Sequence, residues 1–143
     1  MLLVTLLVCA VLLLLSLLHI YWALGGRWAM SAVLPEEGGA RAFTPSPAMT
    51  LGVAGLLLAA AVVVLLRGAL ADHVRDTMLW GVVTLGTWVL AGVFGMRAVG
   101  EFRRVGFFKR VRGTRFATWD TWLYSPLCAA LSTACAFIAK GSA

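Results

Sequence analysis

Four apolar stretches, each close to the length of a bilayer crossing, divide this chain, and a dense basic segment separates the third from the fourth. At about 1.5 Å of rise per residue, roughly 20 helical residues match a hydrocarbon core about 30 Å thick. The stretches run over about residues 2–24, 49–66, 78–99 and 120–139. In lipid each span has to satisfy its own backbone N–H and C=O groups, which favours helices over open strands. The expected fold class is therefore all-α: a polytopic membrane protein with four transmembrane helices in one bundle. Residues 1–143 are read as a single transmembrane domain, with a basic loop at 97–119.

Composition agrees with that reading. The chain is 62% hydrophobic and 13% charged, whereas a soluble domain is about half apolar and about a quarter charged. The net charge of +6 raises the question of nucleic acid. The cations lie beside apolar spans, however, so the expected partners are the lipid bilayer and anionic lipids, with no nucleic acid.

The first span reads as a retained helix rather than a signal peptide. No Lys or Arg precedes the apolar run, the run exceeds a signal core, and no A-x-A site follows it. Loop charge sets the expected orientation. The first and third connections, with the flanking Arg97, carry nine of the twelve cations. Arg67, Arg75 and Lys140 carry the other three. The positive-inside rule then puts the basic loop in the cytoplasm of a bacterial cell and both termini outside.

Redox and metal chemistry find little support. Cys9, Cys128 and Cys135 contain no C-x-x-C pair. His19 and His73 fall at opposite ends of the topology, so no metal or haem site and no cofactor is expected. Small residues recur at intervals of four: Thr87, Ala91 and Gly95; Cys128, Ser132 and Ala136; Gly55 and Ala59. That spacing lets helices approach closely in lipid. It suits packing within the bundle and also leaves an oligomer open.

Polar chemistry concentrates in two blocks. The first is HIYWALGGRW, residues 19–28, at the end of span one. His19 lies about two turns inside the helix, where an ionisable group is costly and often functional. Tyr21, Trp22 and Trp28 suit an interfacial belt, and His19 has that reading open to it too. Gly25-Gly26 is expected to end the helix. The loop that follows holds Pro35, Glu36, Glu37, Gly38, Gly39, Pro45 and Pro47. It has too many breakers for a long helix, and its acidic pair reads as solvated.

The second block is RAVGEFRRVGFFKRVRGTRFATWDTWLYSPLC, residues 97–128. Were span three to continue as a helix, Glu101 would sit within pairing distance of Arg97 and Arg104. Phe102, Val105 and Phe108 would then line an apolar face. Arg103 and Arg104 suit lipid phosphate. Asp120 is a plausible N-cap. Pro126 inside span four predicts a break at Ser125, or a new helix beginning there, with the Tyr124 hydroxyl near the headgroups. From Pro126 to Ala139 a helix covers only about 21 Å.

Together these two blocks and the proline-bearing loop between them resemble the signature of a bacterial family of small four-helix membrane proteins, domain of unknown function 3995. The resemblance spans most of the chain and implies the four-helix membrane fold. It implies no activity, cofactor or catalytic role.

Both blocks are expected at the cytoplasmic face, forming a pocket for a lipophilic molecule with an oxygenated or anionic head. Tyr21, Trp22, Arg103, Arg104, Phe108 and Ser125 are the candidate ligand contacts. One function is acid–base membrane catalysis of isomerase or cyclase type. His19 would act as acid or base, Glu101 or Asp120 as its orienter and Tyr124 as donor. A second is a lipid-binding or accessory protein with no chemistry. A third is a small oligomeric transporter, although no carboxylate lies deep in a span.

Overall fold

A computed structural model of the chain describes residues 1–34, 36–37, 40–41 and 44–141. Pro35, Gly38 and Gly39 of the first connection lie outside the described residues, as do the side chains of Glu36 and Glu37.

Among the described residues the fold is all-helical apart from one minimal hairpin. Helix α1 (Leu2–Ala23) leads to a short α2 (Met30–Val33). Two two-residue strands, β1 (Glu36–Glu37) and β2 (Ala40–Arg41), then pair antiparallel, with Glu36 opposite Arg41. Helix α3 (Pro47–Gly68) and the short α4 (Ala71–Val74) precede α5 (Leu79–Val99). Helix α6 (Arg115–Trp119), a π-helical turn (Asp120–Tyr124) and α7 (Ser125–Lys140) run on as one 26-residue rod.

Four of these elements are long and apolar enough to cross a membrane: Leu2–Ala23, Pro47–Gly68, Leu79–Val99 and Arg115–Lys140. The chain is thus a multi-pass membrane protein. Only 17–28% of each apolar window is buried inside the protein. Leu14, Leu56 and Leu85 stand on the outer surface, where lipid rather than water is the compatible solvent.

Helix ends follow local chemistry. Gly25 N–H donates to the Trp22 carbonyl and Gly26 N–H to the Tyr21 carbonyl, the paired bonds of a Schellman C-terminus, which closes α1 where Gly25-Gly26 predicted it. The Ser46 hydroxyl accepts from Met49 N–H and Pro47 takes the first turn of α3, a position that needs no donor from proline.

The packing is antiparallel by neighbours, α1 chiefly on α3 and α5 chiefly on α7. Leu12, Val64, Cys135 and Ile138 form the buried centre. Without a hydrophobic force between helices in lipid, close approach and polar contacts hold such seams. Ser16 Oγ donates to the Ala54 carbonyl at 2.9 Å, and Ser132 Oγ to the Ala91 carbonyl at 2.7 Å. Thr5 packs directly on Gly68. The small-residue rhythm is correct for α5, where Thr87 and Ala91 are buried. In α3 it picks the wrong face: Ala54, Ala60, Ala61 and Val64 are buried, while Gly55 and Ala59 are exposed. Spacing alone does not say which side of a uniformly apolar helix meets its neighbour.

Candidate functional site

Helix α5 stops at Val99 because Gly100 adopts a left-handed backbone, φ +85°. The chain then folds back on itself. A Cβ on Gly100 would fall 1.8 Å from the Val105 carbonyl oxygen, and one on Gly106 (φ +91°) 2.2 Å from that of Val99. Only glycine allows two backbone strands to cross this closely. Phe107 N–H reaches the Ala98 carbonyl at 2.9 Å, and Val111 N–H the Arg103 carbonyl at 2.8 Å. Phe102 is also left-handed (φ +64°), a geometry that costs a residue with a side chain about 1–2 kcal/mol.

What this loop closes onto is Asp120, whose side chain is 0% exposed. Arg97 Nη2 donates to Oδ1 at 3.0 Å. Gly106 N–H donates to Oδ2 at 2.8 Å and Lys109 Nζ to the same oxygen at 3.0 Å. Lys109 is itself buried, and its other donors meet the Gly106 carbonyl at 3.1 Å and Thr121 Oγ1 at 2.7 Å. The three protons of its ammonium group therefore have three acceptors. A buried carboxylate is stable only when paired and hydrogen-bonded in this way.

Asp120 thus departs from the expected N-cap. Thr114 fills that place, its Oγ1 accepting from Ala117 N–H at 3.0 Å. The helix begins at Arg115 rather than near residue 120, because Thr114 supplies the cap that polarity alone suggested for Asp120.

Of the two outcomes expected at Ser125, the break is absent, while a helical segment, α7, does begin there with Pro126 in its first turn. Ser125 N–H bonds to the Asp120 carbonyl five residues back. This wider π turn accommodates Pro126, whose ring would meet an i−4 carbonyl in a regular α-helix and which donates nothing. The turn keeps backbone angles helical at Trp119, Asp120, Tyr124 and Ser125, so the rod continues.

Glu101 does not pair with Arg97. It is exposed and has no hydrogen bond or ion pair among the described residues. The cause is Gly100, which ends the helix before the i,i+4 spacing can apply.

The second block reaches the connection that follows the first block, not the first block itself. Tyr124 Oη donates to the Ala32 carbonyl at 3.2 Å, and α2 packs on α6. The Tyr124 ring also lies 6.1 Å from that of Phe116. His19 stays with its own helix: Nδ1 lies 2.7 Å from the Leu15 carbonyl, and its ring is edge-on to Trp22 at 5.2 Å. Among the described residues it has no contact with Glu101, Asp120 or Tyr124. Tyr21 and Trp22 brace the turn after α1. Trp22 Nε1 donates to the Trp28 carbonyl at 2.9 Å, and the Tyr21 ring lies over Gly26.

Phe108 is exposed and 6.3 Å from Phe102. Beside them an open concavity of about 570 Å³ is lined by Glu101, Phe102, Arg103, Arg110 and Val111. Arg103 and Arg104 also make polar contacts within the protein. Ser125 is 0% exposed, and its hydroxyl has no hydrogen-bond partner among the described residues.

Sequence reading missed Lys109, Gly100 and Gly106. The signal for the glycines was their spacing, six apart around a basic turn. For Lys109 no local signal distinguishes it from the solvated cations around it. Among the described residues no three His, Cys, Asp or Glu side chains are grouped to hold a metal.

No curated protein matches the chain, and no solved structure does. The family model described as "Protein of unknown function (DUF3995)" matches residues 12–135. That match takes in α3, α5 and both polar blocks, and most of α1 and α7, so this chain belongs to that family.

Proposed function

We propose that this protein binds a lipophilic molecule with an anionic or oxygenated head at the loop-bearing end of its bundle. The ligand is lipid-like, the membrane is that of a bacterial cell, the loop faces the cytoplasm and the termini face outward. The observation carrying this reading is the internal neutralisation of Asp120. Residues 97–120 hold seven cations against Glu101 and Asp120. Asp120 has both oxygens committed to Arg97, Gly106 and Lys109. Its charge therefore offsets a cation inside the protein and leaves the loop surface strongly positive. Phe102 and Phe108 add apolar area beside that charge, the combination that suits a headgroup with its chain.

Each cation near an anionic surface contributes about 1 kcal/mol. Replacing Arg110 and Arg112, both exposed, by Gln is expected to weaken binding of phosphatidylglycerol about 30-fold. Native mass spectrometry of purified protein, with phosphatidylcholine of the same chains as control, reads this directly. Equal retention of both lipids by the wild type ends the proposal.

An acid–base reading rests on His19. A carbonyl can only accept, so Nδ1 facing the Leu15 oxygen carries the proton, and Nε2 of the neutral ring keeps a lone pair. Such a nitrogen is able to take a proton from a bound molecule. A His19→Gln variant that converts a lipid substrate as fast as wild type removes this reading.

A further inference from the structure

Among the described residues, Arg97 Nη1 on α5 and Ser125 Oγ on α7 are buried and have no hydrogen-bond partner. Unmade hydrogen bonds of this kind are uncommon in folded proteins and call for a reason. Their positions are related. Ser132 Oγ meets the Ala91 carbonyl across the α5–α7 seam. Seven residues further along each antiparallel helix, or about two turns, Ala98 and Ser125 fall at the same level, and both are buried. Arg97 adjoins that level and reaches Asp120, one π turn before Ser125.

The charges here do not cancel. Lys109 and Arg97 give two positive charges to the single negative charge of Asp120. Lys109 has its three acceptors within the protein. Arg97 uses Nη2 on Asp120, keeps Nη1 unused, and its side chain is 36% exposed. Nη1 itself is buried, as is Ser125 Oγ, so an anion meets the pair only once the exposed part of the Arg97 side chain has moved aside. Ser125 adds a hydroxyl that both donates and accepts.

We propose that Arg97 Nη1 and Ser125 Oγ receive one oxyanion oxygen, a phosphate or carboxylate oxygen, at the mouth of the α5–α7 seam. This rests on the binding function above and specifies where the head of the ligand sits. Arginine suits an oxyanion through directed, charge-assisted hydrogen bonds. The bound anion would balance the surplus positive charge, and its oxygen would satisfy the orphaned donors.

The test is ligand-induced thermal stabilisation of the full-length protein in neutral detergent, with dihexanoyl phosphatidic acid and inorganic phosphate as probes. Ser125→Ala removes an unsatisfied buried hydroxyl, so the unliganded variant is expected to melt at or above the wild-type temperature. It is also expected to bind phosphatidic acid about tenfold more weakly. Arg97→Lys keeps a charge opposite Asp120 while removing Nη1, and should weaken the same probe to a similar degree. A response to phosphatidic acid alone assigns the oxyanion to a lipid headgroup. An equal response to inorganic phosphate assigns it to a free anion, and both support the site.

Wild-type binding that Ser125→Ala and Arg97→Lys leave unchanged, while Arg110→Gln with Arg112→Gln reduces it, overturns this site and leaves the binding function standing. No binding of either probe, together with equal retention of anionic and zwitterionic lipid, overturns both. A melting temperature that falls in unliganded Ser125→Ala also counts against the site, since it would mean that the hydroxyl already has a partner such as a buried water.

Discussion

Lys109 Nζ lies 3.0 Å from Asp120 Oδ2, with side chains 3% and 0% exposed. Eleven residues separate them in the chain, and the intervening loop is folded back so that they meet. This contact locks the basic segment to the start of the fourth membrane helix.

Breaking one side of such a pair leaves the other charge buried alone. Asp120→Asn strands Lys109 and is expected to cost about 3–5 kcal/mol. Lys109→Met should cost less, because Asp120 retains Arg97 and the Gly106 N–H. Unfolding midpoints of the two variants in one detergent compare them. Equal effects would contradict the asymmetry.

The loop fold depends on two glycines at a backbone crossing. Gly100→Ala or Gly106→Ala should unseat the loop and expose Arg103 and Arg104 to trypsin, raising the cleavage rate several-fold. Gly113→Ala is the control. Its φ is +86° but no atom lies within 4 Å of the added Cβ, so only a backbone cost of about 1 kcal/mol is expected. Cleavage rates that match across the three variants would show that the crossing does not hold the loop.

Close approach of α1 and α3 predicts a coupled pair. A Cβ on Gly68 would lie 2.1 Å from Thr5 Oγ1, so Gly68→Ala should destabilise by about 1–3 kcal/mol. Thr5→Ala in the same chain removes the nearest atom and should recover part of that loss. Additive effects in a double-mutant cycle would mean that the helices separate to absorb the clash.

Tyr124 ties the second polar block to the first connection through one hydrogen bond to Ala32. Tyr124→Phe is expected to cost about 0.5–1.5 kcal/mol and to speed hydrogen exchange of α2 more than of α5. Uniform exchange across the protein would show that the bond does not order the first connection.

Opposite ends of the bundle should label from opposite sides of a membrane. Cysteines placed at Trp28 and Arg110 are expected to react with a membrane-impermeant thiol reagent from one side. A cysteine at Met78, whose residue is 95% exposed, should react from the other. Cys9 and Cys135 are buried but Cys128 is half-buried, so the cysteines are placed in a Cys128→Ala background. Reaction of positions 28 and 110 from different sides would refute the shared face.

Four spans, their approximate extents and the family were legible in the chain because apolar run length is a one-dimensional property that the bilayer thickness reads directly. The Gly25-Gly26 terminus was legible for a similar reason, since its bonds close within six residues. The hub at Asp120 was not. Its partners Arg97, Gly106 and Lys109 lie 23, 14 and 11 residues away, and nothing local separates Lys109 from its exposed neighbours. Gly100 alone redirected Glu101, and the π turn alone carried the helix past Pro126. The face each helix buries was likewise decided in three dimensions: in lipid an apolar stripe carries little information, and the neighbours that happen to fit closely choose it.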